Sequence, residues 1–225
     1  MERTRLSVTI ETGARFLLDP RRKHQPTLIS GSAEGRERRI EFLRAAVDIA
    51  AGIRAESVSL WSGAADDDAP AEAHWSRLTH ALRELLGYAR PKNVRLSFEP
   101  EPGMLIERME QFARLQAELA DALFGLTLDV GHIHCLQDGN IAGHIERWGS
   151  TLRNVHIEDM RRGRHEHLMF GDGEIDFGPI FESLRRVAYA GPVHVELSRH
   201  AHDAVETAQR AYAFLEKCNP LRRDV

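Results

Sequence analysis

Four ionisable residues lie at or near the carboxyl ends of four short strand-like runs of the chain: Glu99, Asp129, His156 and Glu196. Three carboxylates and one imidazole make a donor set that suits Mn²⁺, Mg²⁺, Co²⁺ or Zn²⁺ and is too rich in oxygen for a thiophilic ion. Carboxylates held in one small volume repel each other strongly unless a cation neutralises them. These residue types therefore predict one bound divalent cation. The alternative is that each is an ordinary strand-end residue facing solvent.

The runs that carry these residues belong to a regular alternation of short apolar segments and amphipathic segments. The predicted strands cover residues 6–11, 57–61, 94–99, 126–129, 154–158 and 193–198. The predicted helices cover residues 34–53, 71–89, 104–123, 141–152, 177–189 and 201–217. Alternation of this kind favours a parallel sheet covered by helices.

Each predicted strand has one apolar face and one polar face. In the last strand, for example, Val193 and Val195 alternate with His194 and Glu196. Strands of an open parallel sheet are buried on both faces and should be apolar on both. A polar face shared by successive strands fits a closed barrel, whose inward side chains converge. No glycine-rich phosphate loop follows the first strand, as a nucleotide-binding sheet would require. The predicted fold class is therefore α/β, of the (β/α)₈ TIM-barrel type.

Five motifs occur in a fixed order along the second half of the chain. They are Leu96-Ser-Phe-Glu99-Pro, Leu128-Asp129-Val-Gly-His132, Asn154-Val-His156-Ile-Glu-Asp159, His167-Leu-Met-Phe-Gly171-Asp-Gly-Glu-Ile-Asp176 and Val193-His-Val-Glu196-Leu-Ser. The ordered set resembles the xylose-isomerase-like TIM-barrel superfamily (the sugar phosphate isomerase/epimerase family). That group includes ketose 3-epimerases, hydroxypyruvate isomerase, inosose dehydratase and the endonuclease IV branch. The resemblance is good over residues 94–198 and weak over the first ninety.

The resemblance implies roles for individual residues. The family's metal set carries over to Glu99, Asp129, His156 and Glu196. His132, three residues after the aspartate, is expected to touch substrate oxygens. His167 is expected to make a further polar contact beside the active-site loop at residues 171–176.

Three residues of the first half are weaker candidates for substrate binding. Glu11 ends the first predicted strand, His24 follows in a polar loop, and Trp61 ends the second strand. Each could line a pocket or be an ordinary loop or packing residue. Glu101 competes with Glu99 as a ligand, but Pro100 is expected to end the strand and favours Glu99. His194 is expected to be a hydrogen-bonded histidine in the barrel core.

The predicted activity is proton transfer next to a carbonyl, which isomerises or epimerises a sugar or related keto-polyol. Such a reaction needs a base and an electrophile for the developing oxyanion, and a divalent cation supplies the second. Glu99 and Glu196 are the predicted catalytic residues, taking and returning the proton from opposite faces. Two alternatives stay open: an endonuclease IV-like metal-dependent nuclease and a non-catalytic metabolite-binding barrel.

The number of barrel strands in the chain can be predicted by counting strands back from the metal ligands. The resemblance places the set on strands five to eight of a barrel, which makes the strand at residues 6–11 the third. The sequence therefore predicts one barrel domain over residues 1–225, with six strands visible and the first two β/α units lacking.

Composition limits the classes of partner. The net charge is −4, so no overall basic field attracts nucleic acid. No segment approaches the ~20 apolar residues of a membrane span, and no apolar signal segment follows the start. Cys135 and Cys218 are too few for a disulfide framework. We expect a cytoplasmic protein with a small sugar-like substrate and no membrane or nucleic-acid partner; homo-oligomerisation stays open.

Overall fold

The structure of the protein is a computed structural model that describes residues 6–218. The chain forms two compact units, Met1–Thr127 and Leu128–Val225, and the boundary falls within the fourth strand. The first unit contains strands β1 (Thr9–Glu11), β2 (Ser57–Leu60), β3 (Leu96–Phe98) and most of β4 (Phe124–Asp129). Its helices are α1 (Ala33–Ile53), α2 (Ala71–Ala89) and α3 (Met109–Leu119).

The strands of the first unit pair in parallel in chain order, β1 with β2, β2 with β3 and β3 with β4. Apolar side chains of these strands pack beneath the helices. Phe98 of β3, Phe112 of α3 and Phe124 of β4 are almost completely buried, and their ring centroids lie 5.8 to 6.4 Å apart. Burial of aromatic rings in this geometry is a large stabilising contribution to the core.

The alternate residues of the same strands form a buried polar layer. The hydroxyls of Ser59 and Thr127 are 3.0 Å apart, and Ser97 Oγ donates to Ser57 Oγ at 2.9 Å. Buried hydroxyls are tolerated when they satisfy one another in this way. The predicted division of each strand into an apolar and a polar face is confirmed for β2, β3 and β4.

The second unit contains α4 (Val130–Cys135), α5 (Ile141–Trp148), β5 (Leu152–Ile157), β6 (Asp159–Arg161), β7 (Arg164–Leu168), α6 (Phe177–Arg186), β8 (Val193–Val195) and α7 (Ala204–Cys218). Strands β5 and β8 pair in parallel, with His156 opposite His194. Strands β6 and β7 form a separate antiparallel hairpin. Phe170, Phe177 of α6 and Phe214 of α7 form an aromatic cluster with centroid separations of 5.1 to 5.6 Å.

All six predicted strands are present, but their bounds and the local structure around them differ in places. The helix predicted at 104–123 is only α3, because residues 99–108 form a loop after β3. The hairpin β6–β7 and the short helix α4 were not predicted. The segment Arg164-His-Glu-His has no apolar alternation, so its strand character was invisible in the sequence. Gly163, with φ at 71°, makes the tight turn between the two strands.

No helix within residues 6–218 is long and apolar enough to cross a membrane.

Candidate metal centre

Three of the four predicted metal ligands meet in the second unit. Asp129 ends β4, His156 lies near the end of β5, and Glu196 directly follows β8. One ligand atom from each lies within 4.8 Å of the others. His156 Nδ1 is 3.1 Å from Glu196 Oε2 and 4.0 Å from Asp129 Oδ2. Asp129 and His156 are buried, whereas Glu196 is partly exposed.

Local backbone structure explains this convergence. Glu196 N donates to Ile157 O at 3.1 Å, so Glu196 continues the pairing of β8 with β5 and lies beside the end of that strand. Asp129 is the N-cap of α4, and its Oδ1 accepts a hydrogen bond from His132 N at 2.8 Å. One carboxylate oxygen of Asp129 is therefore used by the helix. The other, Oδ2, is left for the ligand cluster.

The second oxygen of Asp129 has the character expected of a metal ligand. Asp129 Oδ2 is buried and accepts no hydrogen bond within residues 6–218. Burial alone would raise the pKa of Asp129, but the nearby imidazoles of His132 and His156 outweigh it and the pKa is lowered. Asp129 is thus a carboxylate at neutral pH. A buried, charged oxygen without a hydrogen-bond donor is costly, and a bound cation would remove that cost.

Glu196 has a similar balance. Burial raises its pKa, the hydrogen bond from His156 lowers it, and the net shift is downward. The centre therefore holds two carboxylates and one imidazole at neutral pH, a donor set that suits a divalent cation.

Glu158 is a further acid of this centre that the sequence reasoning left out of the site. Its side chain is fully buried, and neither carboxylate oxygen has a hydrogen-bond partner within residues 6–218. Burial and the neighbouring Asp129 raise the pKa of Glu158 well above its usual value, which favours the protonated form of its carboxyl. A Cβ atom at Gly131 would lie 2.0 Å from Glu158 Oε1, so only glycine fits there. The alternation of residues 154–158, which places Glu158 on the face of His156, was the available signal.

The buried side-chain amide of Asn154 contacts the imidazole of His156 on the nitrogen opposite Glu196. Asn154 Nδ2 lies 3.0 Å from His156 Nε2, and Asn154 Oδ1 lies 2.8 Å from His194 Nδ1. The prediction that His194 is hydrogen-bonded is confirmed, but its side chain is half-buried and does not lie in the core. In this arrangement Asn154 donates to Nε2 of His156, so the ring proton sits on Nδ1 and faces Glu196. Rotation of the amide by half a turn would reverse the pattern and free Nδ1 to bind a cation.

Three histidines form a second cluster in the same unit. One ring nitrogen from each of His132, His165 and His167 lies within 4.8 Å of the others. His167 Nε2 is also 3.9 Å from Glu196 Oε1. The two predicted substrate-contact residues of this unit, His132 and His167, therefore lie beside the ligand cluster. His165 was not predicted; burial and its histidine neighbours lower its pKa to about 4, which keeps it neutral at pH 7.

One carboxylate holds the loop that follows these histidines. Asp159 Oδ1 accepts hydrogen bonds from Met160 N at 2.9 Å and Ile175 N at 3.1 Å. Asp159 Oδ2 accepts from Gly171 N at 2.8 Å and Gly173 N at 2.9 Å. The loop at residues 171–176, expected from the resemblance to be an active-site loop, is thus fixed by a single buried side chain.

We expect Asp159→Ala to lower the free energy of unfolding by about 3 kcal/mol, because four backbone N–H groups lose a charged acceptor. Urea unfolding measures the difference. Asp172→Ala is the control, since Asp172 is exposed in the same loop and its loss should change stability by less than about 0.5 kcal/mol. Equal stabilities of the two variants would contradict this role.

The remaining predicted site residues belong to the first unit. Glu99 directly follows β3 and is 5% exposed, and its backbone N donates to Leu60 O at 2.8 Å. Glu11 is exposed at the end of β1. His24 and Trp61 are brought together, with their ring centroids 5.3 Å apart in an edge-to-face contact.

The buried side chain of Arg39 fixes the His24–Trp61 pair. Its guanidinium lies 4.7 Å from the Trp61 ring centroid and donates to the backbone oxygens of His24 at 2.7 Å and Pro26 at 2.8 Å. Burial lowers the pKa of His24 to about 4, and nearby cations add to the effect. His24 is therefore neutral at pH 7 and offers a hydrogen-bonding imidazole rather than a charge.

Comparison with known sequences agrees with the predicted fold family. The family described as xylose isomerase-like TIM barrel matches residues 4–218 of the chain. Inosose dehydratase from Lactiplantibacillus plantarum is 26% identical over 165 residues, which are 65% of this chain and 55% of that protein. The chain spans about half the length of the curated relatives it matches.

Comparison with solved structures gives the same result at the level of the fold. The apo crystal structure of the 3-keto-D-glucoside 4-epimerase YcjR from E. coli superposes with a TM-score of 0.80 and 19% identity, over 96% of this chain and 81% of that chain. The IolI protein with a zinc atom superposes with a TM-score of 0.71 and 20% identity, over 83% of this chain and 71% of that chain. The predicted α/β fold of TIM-barrel type is confirmed.

Proposed function

Because the chain belongs to the xylose isomerase-like TIM-barrel family, we propose that it is a divalent-metal-dependent isomerase or epimerase of a sugar or related keto-polyol. The observation that carries the proposal is the convergence of Asp129, His156 and Glu196, with one buried oxygen of Asp129 left without a hydrogen bond. Relatives named as inosose dehydratase and structures named as sugar epimerases support the substrate class.

We propose Glu99 as the fourth ligand of the same cation. Its place in the ordered motifs supports this role, as does its buried carboxylate directly after β3. Mn²⁺, Mg²⁺, Co²⁺ and Zn²⁺ all suit three carboxylates with one imidazole. The IolI structure with a zinc atom favours a divalent cation in this family.

Each side chain of the centre would have its own role in the reaction. When bound, the cation supplies positive charge to the oxyanion that develops on the substrate. Glu196 is a carboxylate at neutral pH and reaches solvent, so one of its oxygens removes the proton next to the carbonyl. Glu99 returns a proton from the opposite face for epimerisation. His132 and His167 donate hydrogen bonds to substrate oxygens and fix the reacting carbon next to Glu196.

We propose Glu11, His24 and Trp61 as further substrate-binding residues. The neutral imidazole of His24 and the ring of Trp61 offer one hydrogen-bonding edge and one apolar face, a combination that suits a sugar. Arg39 acts as a positioning residue because it holds both in place.

Solvent deuterium exchange tests the proposed function directly. The metal-loaded protein is incubated in ²H₂O with a panel of keto sugars and inososes, and deuterium next to the carbonyl is followed by NMR. We expect exchange with at least one compound and none after removal of the metal by a chelator. Metal-loaded protein that exchanges no proton of any compound would contradict the proposal.

The contact between the Asn154 amide and His156 leads to a separate prediction. Replacing Asn154 with leucine removes the group that fixes the imidazole, so we expect metal affinity to fall about 10- to 100-fold, as for other groups that orient a ligand. Competition with a chromophoric chelator measures the change. Asn154→Asp is the matched control, since an aspartate accepts from both histidines and should keep the metal affinity close to that of the wild type. If Asn154→Leu bound the metal as tightly as the wild type does, Asn154 would not orient the His156 ligand.

A further inference from the structure

We propose that the substrate of this protein carries an anionic group, a carboxylate or a phosphate, which binds beside the His24–Trp61 pair through the side chains of Arg15 and Lys23. This inference rests on the proposed function, because it assumes the same sugar-converting site and narrows the class of its substrate. All of the residues that carry it belong to the first unit, in the loop after β1, in α1 and directly after β2.

Arg39 is a buried positive charge without a carboxylate partner. It is 2% exposed, and no acidic residue within residues 6–218 forms an ion pair with it. Its guanidinium donates to backbone oxygens, which carry no full negative charge. Burial lowers the pKa of Arg39 to about 10, so the group is still cationic at neutral pH. Because buried charges in proteins are normally paired, an anion near Arg39 would be stabilised.

Two further cations lie near the ring of His24. The backbone N of His24 donates to Arg15 O at 2.6 Å, and Lys23 directly precedes His24 in the chain. Burial is the main cause of the low pKa of His24, and the positive charges of Lys23, Arg39 and Arg15 lower it further. Arg15 and Lys23 are exposed, and neither forms an ion pair within residues 6–218. Their side chains are therefore available to an anion from solvent.

Two acids of this region are engaged with a different arginine. Asp19 Oδ2 lies 2.8 Å from Arg22 Nε, and Asp66 Oδ2 lies 3.5 Å from Arg22 Nη1. Arg22 is therefore balanced by two carboxylates, whereas the three cations beside His24 form no ion pair in the described part of the chain. The excess of positive charge is local, since the whole chain has a net charge of −4. A local excess of this kind attracts an anionic group and favours its binding.

The conformation of His24 supports a ligand at the same place. His24 has φ at 67°, in the left-handed region that residues other than glycine adopt uncommonly. Arg39 holds it there through the hydrogen bond to its backbone oxygen. His24 Nδ1 is buried and makes no hydrogen bond within residues 6–218. Strained residues are concentrated at ligand sites, and an unpaired buried nitrogen calls for a partner such as a ligand or a water.

The position of the His24–Trp61 pair suits a group of the substrate away from the reacting carbon. Trp61 directly follows β2, and Glu99 directly follows the adjacent strand β3. The backbone N of Glu99 donates at 2.8 Å to the oxygen of the last residue of β2, so both residues lie at one edge of the sheet. The Trp61 ring offers an apolar face to the carbon atoms of a sugar, while Arg15 and Lys23 take the anionic group. Contacts of this kind orient the reacting carbon.

Binding of matched sugars tests the inference without use of activity. The dissociation constants of D-fructose, D-fructuronate and D-fructose 6-phosphate are measured by isothermal titration of the metal-loaded protein, and the corresponding D-tagatose series is measured in the same way. Within a series the compounds differ only at the last carbon, which bears a hydroxyl, a carboxylate or a phosphate. We expect an anionic compound to bind about tenfold more tightly than the neutral sugar, as for a gained charge-assisted hydrogen bond. The anion that binds more tightly identifies the group.

Replacement of the two exposed cations locates the bound anion. In the double variant Arg15→Ala/Lys23→Ala we expect the preference for the anionic sugar to be lost, whereas Lys23→Arg keeps the charge and should keep the preference. Arg21→Ala is the matched control. Arg21 is an exposed cation of the same loop and is not among the charges that act on His24. Its replacement should leave the preference for the anionic sugar unchanged.

The outcomes separate this inference from the proposed function. No tighter binding of either anion in either series, or a preference that survives in Arg15→Ala/Lys23→Ala, would overturn the anionic group at this place. Deuterium exchange into a neutral sugar by the same protein would then leave the proposed function intact. A preference that is present in wild type and lost in the double variant supports the inference even if no sugar exchanges its proton.

Discussion

Glu196→Gln is expected to lower turnover about a thousandfold while the protein still binds its metal. A glutamine keeps the size of the side chain and one oxygen, but it cannot accept the substrate proton. Loss of a general base costs between about 10² and 10⁴ in rate. The measurement is the rate of deuterium exchange into the substrate that the wild-type protein accepts, at saturating metal.

The matched control for this variant is Glu206→Gln. Glu206 is exposed in the first turn of α7, so the same chemical change should leave turnover unaltered. Metal content of both variants is measured in parallel, because a drop in turnover that follows metal loss would not identify a base. Full turnover by metal-loaded Glu196→Gln would show that another residue takes the proton.

Asp129→Asn is expected to weaken binding of the divalent cation about a thousandfold. Removing one charge from a buried ionic cluster typically costs about 4 kcal/mol, which corresponds to that factor in affinity. The asparagine oxygen still accepts the hydrogen bond from His132 N, so the start of α4 should stay intact. Isothermal titration with Mn²⁺ measures the affinity, and circular dichroism checks the fold.

Asp138→Asn is a useful control for the same titration. Asp138 lies in the turn after α4, outside the ligand cluster, and its replacement should leave Mn²⁺ affinity unchanged. If Asp129→Asn bound Mn²⁺ as tightly as wild type does, Asp129 would not be a ligand.

Those residues that end or alternate along strands could be predicted from the sequence. A strand alternates its side chains, and parallel strands end at one edge, so Asp129, His156 and Glu196 could be grouped before any coordinates were known. The helices were predicted from a different pattern, the recurrence of apolar residues at three- and four-residue steps. The prediction of α2 is correct at both ends, Ala71 and Ala89.

Other features depend on contacts that no local pattern records. The β6–β7 hairpin has a polar sequence, and the place of His165 follows only from that hairpin. The four hydrogen bonds to Asp159 join it to residues up to 16 positions away. Glu158 shared a face with His156 in the sequence pattern, but its elevated pKa arises from burial beside Asp129, which only the fold reveals.

A crystal structure of the protein soaked with Mn²⁺, with an anomalous difference map, tests the central claim most directly. We expect one manganese peak within bonding distance, about 2.0 to 2.2 Å, of Asp129 Oδ2, His156 Nδ1 and a Glu196 oxygen, with Glu99 as the fourth protein ligand. A fully occupied Mn²⁺ site elsewhere, with these side chains unliganded, would contradict the claim.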